Sequence, residues 1–171
     1  MRDRSIWWYR AFIIFALALN SLIAESSERP LRFYRHGFNQ NEIIQLRQAY
    51  GEALTHAQNC QALRSWPQLT EDLADIILSG HIHLIKEADD PESLGECGYT
   101  LFGGFLSFNR VHVRNMAFVP HAGCGPLWST ILHELIHVAR MSASEDDVMH
   151  LEYACRREAQ AQQRSEAVAF L

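Results

Sequence analysis

The stretch Pro126 to Met141, PLWSTILHELIHVARM, leaves this chain the fewest choices for folding. Leu127, Trp128, Ile131, Leu132, Leu135, Ile136, Val138 and Ala139 recur at helical spacing and cover almost the whole circumference of the predicted helix, with Pro126 suited to its first position. A helix apolar on nearly every side is a buried one. Yet this helix also carries His133, Glu134 and His137, and burying such groups without partners costs roughly 2–7 kcal/mol each. The rest of the fold must wrap this helix and give those three side chains partners.

Their spacing suggests which. Residues four apart on a helix lie one above the other, so His133 and His137 can bring one imidazole nitrogen each to a common point, at the roughly 2.0–2.1 Å of a zinc–nitrogen bond. Glu134 sits on the adjacent edge, too far round to bind the same ion, but placed to take a proton from an attacking water and return it to a leaving group. That is the physical content of an HExxH pattern. The plainer alternative is a core helix whose histidines and glutamate are satisfied by hydrogen bonds.

Catalytic zinc needs a third protein ligand and an open position. After a short MSAS turn, Ser144 and Asp147 have the spacing of a capping box, so a second helix is expected to start near Glu145 and run antiparallel to the first. Its apolar stripe is Val148, Leu151 and Cys155. Glu145 and Glu152 fall on that stripe, whereas His150 points away. Folding the pair about Ser142 sets position 152 level with His133 and leaves Glu145 at the turn, so Glu152 is the expected third ligand, with Glu145 and then His150 behind it. The competing account of Glu152 is an ordinary salt bridge to Arg156, four residues on.

HELIH here resembles the active-site helix of the zincin metallopeptidases, and a glutamate as third ligand makes the chain similar to their gluzincin branch. The metzincin branch fits less well, because Ala143 stands where it has a histidine and Arg140 where it has a glycine. CGPLWSTILHELIHVA followed by EDDVMHLEYAC also resembles small secreted bacterial proteins with an HExxH metallopeptidase domain. The resemblance spans Tyr99 to Cys155. It implies Zn2+ as cofactor, a peptide or protein as substrate, and an edge strand, expected within Phe105 to Val119, that takes an extended peptide by strand addition. For the oxyanion donor the candidates are Tyr153, His150, His121 and His112.

Elsewhere the periodicity predicts a helix over Asn41 to Asn59, capped by Asn39 or Asn41, and a shorter one after Pro67, with Thr70 as cap and Gly80 as its end. From His81 to Val119 the apolar period approaches two, with turn signals at Asp90-Pro91, Gly103-Gly104 and Asn109-Arg110, which suggests a small antiparallel sheet. The expected class is α+β: N-terminal helices, the sheet, then the HExxH helix and an antiparallel C-terminal helix. His81 and His83 share a strand face but read more simply as surface residues, and Trp128 reads as core. No GxSxG pattern offers a serine nucleophile.

At 171 residues the chain has one domain's length. Its first residues combine Arg2, Arg4 and Arg10 with an apolar run from Ala11 to Leu19, the layout of a secretory signal peptide. Cleavage is expected between Ala24 and Ser27, leaving a single domain over residues 25–171 that is secreted or periplasmic; the alternative is an uncleaved anchor extended through Ile6 to Tyr9. The net charge of −5 becomes more negative once that leader is removed, which gives no support to nucleic-acid or anionic-membrane binding. Four cysteines beyond the leader imply two disulfides in an oxidising compartment. Of three possible pairings, Cys124–Cys155 with Cys60–Cys97 is preferred, because the first would tie the two C-terminal helices together. Beside the hydrolase stand two other classes: a secreted binding domain with a non-catalytic zinc site, and an interaction module with no metal.

Overall fold

The structure, a computed structural model, describes residues 34–79, 82–89, 96–103, 109–119 and 123–169. The expected leader, the Asp90-Pro91 turn, Gly80, His81, Gly104, the FLSF stretch and His121 lie outside them. The chain from Arg32 to Leu171 clusters as one compact unit. In order it forms β1 (Tyr34–His36), α1 (Gln40–Asn59), α2 (Gln61–Arg64), α3 (Pro67–Ser79), β2 (Ile82–Glu87), β3 (Gly98–Leu101) and β4 (Asn109–Arg114). A 3-10 turn (Asn115–Phe118), α4 (Leu127–Ala139) and α5 (Glu145–Ala169) complete the α+β fold.

Local chemistry sets the helix starts. Asn39 accepts the Glu42 N–H at 3.0 Å while the Glu42 carboxylate accepts the Asn39 N–H at 2.9 Å, a complete capping box for α1. Pro67 opens α3, so Thr70 lies inside the helix rather than capping it; its hydroxyl donates to the Leu63 carbonyl at 3.0 Å. Pro126 stands one residue before α4, in extended conformation. Ser144 caps α5, its Oγ accepting the Asp147 N–H at 3.2 Å.

The sheet order is β1-β2-β4-β3. β1, β2 and β4 are parallel and only β3 runs antiparallel to its neighbour β4, so the sheet is mixed and not antiparallel as expected. Alternation of apolar residues is the same in both ladders and could not decide this. Chain length does: β1 and β2 are separated by three helices, the kind of long crossover that parallel neighbours require. Asn109-Arg110 opens β4 instead of forming a turn.

α4 is the centre of the molecule. One side packs on α1 and α3, another on β3 and β4, and α5 closes part of the remainder. Ile131, Leu132, Leu135 and Ile136 are fully buried with Leu46, Leu73, Leu84, Val111 and Val113. At roughly 1.5–3 kcal/mol for each large apolar side chain, this burial holds α4 in place whatever its polar residues do.

The disulfides are Cys60–Cys155 and Cys97–Cys124, with Cα–Cα distances of 5.2 and 5.5 Å. This corrects the preferred pairing. The reason is the course of α5, which packs on α2 as well as on α4. It carries Cys155 to the junction of α1 and α2, where the Gln61 N–H also donates to Glu158 at 2.7 Å. Cys124 is left beside Cys97, at the entry to β3. Two such bonds belong to a chain that folds in an oxidising environment. Among the described residues no helix is long and apolar enough to cross a membrane.

Candidate metal centre

On α4 the imidazoles of His133 and His137 stand with ring centroids 5.0 Å apart. Between them reaches Glu145, from the first turn of α5. One carboxylate oxygen lies 3.0 Å from His133 Nε2 and the other 3.0 Å from His137 Nε2. Ligand atoms of all three residues fall within 4.8 Å of one another. Two imidazoles and one carboxylate, with room for a fourth ligand, are the donor set of a catalytic zinc site, so the residues present fit that ion. Burial lowers the His133 pKa and so favours the neutral ring that a metal needs, although the Glu145 carboxylate opposes the shift.

Glu152, the expected ligand, lines the same cleft but is bonded to Arg156 at 3.4 Å, the salt bridge weighed as its alternative. Glu145, the second choice, takes the position beside the histidines. The turn Arg140 to Ser144 is short, and a glutamate in the first turn of α5 is long enough to reach back to both rings. His150 lies on another side of α5, in a cleft with Trp66 and Arg140.

Glu134 is 3% exposed and is held from β3. The Thr100 hydroxyl donates to its Oε2 at 2.8 Å, and the Glu134 carbonyl lies 3.2 Å from the same hydroxyl. One proton cannot serve both fully, and the shorter, charge-assisted bond dominates. Burial pushes the Glu134 carboxyl up to about 7, against the lowering effect of the Thr100 bond. Gly98 completes the seat. A Cβ there would sit 2.8 Å from the His112 carbonyl oxygen and 3.2 Å from Glu134 Oε1, so only glycine lets β3 come this close to α4.

Two clefts meet at this centre. One, of about 260 Å³, runs past Cys97, Cys124, Thr130, Met149 and Arg156. The other, of about 290 Å³, follows β3 past Thr100 and Phe102. Both include His133, Glu134, Glu145 and Gly98.

Of the proposed oxyanion donors, the structure does not bring His112, His150 or Tyr153 here, and His121 lies outside the described residues. His112 faces away from α4, its Nδ1 2.8 Å from Glu87 and its ring stacked on Tyr99 at 4.4 Å. Tyr153 is exposed beneath Arg157. Trp128 is core, packed against His56 at 4.1 Å. Gly98 and Thr100 were not singled out from the sequence, and Arg156 only as a salt-bridge partner for Glu152. The signal for the first two was slight, a four-residue strand after a cysteine, and for Arg156 it was the i, i+4, i+7, i+11 row that it makes with Glu145, Met149 and Glu152. No protein-family model, curated protein or solved structure matches this chain.

Proposed function

We propose that this chain is an exported zinc-dependent hydrolase of peptide bonds. The observation that carries the reading is the convergence of His133, His137 and Glu145 on one point, with the buried Glu134 carboxylate clasped alongside. A zinc ion held by those three residues would supply Lewis acidity, polarising the scissile carbonyl and acidifying water. Glu134 takes the proton of the attacking water and delivers it to the departing amide nitrogen. Thr100 fixes Oε2 by its hydrogen bond and leaves Oε1 to accept that proton. Gly98 keeps the strand close enough for the bond to form.

An extended substrate has a strand to pair with. Within the expected stretch Phe105 to Val119, β4 is bonded on both sides, to β2 and to β3, and so offers no free edge, while Phe105 to Phe108 lie outside the described residues. Among the described residues β3 is the edge beside Glu134, and a peptide added there passes across the centre. The two disulfides support export, since they form where thiols are not kept reduced.

Glu134→Gln tests the reading. Zinc content should stay as in the wild type while peptide turnover falls by about 10²–10⁴-fold, the usual contribution of a general base. Equal turnover by the variant, or a zinc-loaded wild type that cleaves no peptide, contradicts it.

A further inference from the structure

Apart from His133, the cleft on the α5 side of the centre contains one basic side chain among the described residues that line it, Arg156. It ends the row Glu145, Met149, Glu152 and Arg156, which faces the cleft along α5. Its guanidinium rests on the loop that leads into α4. Gly125 has φ +73°, and a Cβ there would meet Cζ and Nη2 of Arg156 at 2.8 Å. The absence of a side chain at position 125 is therefore what lets the guanidinium lie on this wall.

Arg156 is positioned but weakly engaged. Its contact to Glu152 is 3.4 Å, longer than the roughly 2.7–2.9 Å of a tight charge-assisted bond, and a guanidinium has five N–H donors. Of the two partners Glu152 is the more deeply buried, 14% exposed against 28% for Arg156, so the pair presents its cationic end to the cleft. The other carboxylates are committed: Glu145 lies between the histidines, Glu134 is bonded to Thr100, and Glu96 is paired with Arg114 at 3.1 Å.

We infer that Arg156 anchors a carboxylate of the substrate close to the scissile bond, so that the enzyme selects peptides bearing an acidic side chain or a free C-terminus there. The inference rests on the cleft being a peptide site. Arg156 receives the carboxylate on its fork, as arginine does wherever planar bidentate recognition is needed, while Glu152 holds it from behind.

The test uses hexapeptides in which one Asn is exchanged for Asp at each position in turn, and the all-Asn peptide with its C-terminus free or amidated. Binding is followed by fluorescence anisotropy on zinc-loaded Glu134→Gln, and cleavage on the wild type. At one position or at the free C-terminus, the carboxylate should tighten binding roughly 10–100-fold over the neutral amide, the scale of a hydrogen bond to a charged group. The arm that shows the gain identifies the source of the carboxylate. Adding Arg156→Gln should reduce the gain to within about twofold and Arg156→Lys should keep part of it, since charge survives without the fork. Absence of any preference in the parent protein overturns the inference without recourse to an Arg156 variant. So does a preference that persists in a zinc-loaded Arg156→Gln protein, which would assign it to the ion, and so does a preference for lysine in place of Asp. Cleavage without preference leaves the peptidase standing and removes Arg156. Preferential binding without cleavage by the wild type does the reverse.

Discussion

On the α4 side of the centre, His133, Glu134 and His137 ride on a helix whose apolar residues are buried against α1, α3 and the sheet, and Glu134 is clasped by Thr100. On the α5 side, Glu145 projects from a first helical turn and is 62% exposed. One half is held by the core itself. The other is held by a short turn and, ten residues further along, by the Cys60–Cys155 disulfide. Under the proposed function, the general base and two ligands would come from rigid packing, while the third ligand would depend on how a neighbouring helix is tethered.

Cutting that tether should have the largest effect. The Cys60–Cys155 bond spans 95 residues, and its replacement by two alanines should cost about 2–5 kcal/mol of stability, measured by urea unfolding. Zinc affinity should weaken with it, because α5 loses its covalent link to the start of α2 and keeps only its packing and the Gln61–Glu158 bond there. Undiminished affinity would show that α4 and the turn alone place Glu145.

Next comes the direct comparison of the two glutamates. Outer-shell partners of a metal cost roughly 10–100-fold in affinity when removed, so a true ligand should cost more. Glu145→Ala should exceed that range in a competitive chelator titration, and Glu152→Ala should stay within it. The opposite order would return the third ligand to position 152.

The smallest of these effects, and the one confined to the α4 side, is that of Gly98→Ala. The added Cβ would press on the His112 carbonyl and force β3 outward, at about the 1–3 kcal/mol of an overpacked site. Turnover should fall, since Thr100 moves with the strand, while zinc content stays unchanged. Loss of zinc in this variant would mean that the two sides are not separable.

The same contrast explains how far the sequence could be read. His133, Glu134 and His137 were legible because their relation is set by helical geometry within five residues, and Asn39, one of the two caps expected for α1, was legible because capping is equally local. Glu145 was weighed but placed second to Glu152, because the choice turns on the path of α5 after a short turn, which no periodicity encodes. That path also decided the disulfides: α5 packs on α2, so Cys155 meets Cys60 rather than Cys124. Strand direction was hidden in the same way, since Ile82 and Leu84 alternate with His83 equally well in a parallel and an antiparallel ladder. The α+β class followed from the change of period between helical and strand-like stretches and is what the structure contains.

The most direct measurement is the zinc content of the oxidised, disulfide-bonded protein, by elemental analysis, beside a His137→Ala control. Close to one zinc per chain is expected in the wild type, and loss of it in the control. A folded wild type that takes up no zinc when the ion is supplied would contradict the metal-site reading, and would leave Glu145 as no more than a hydrogen-bond partner for two histidines.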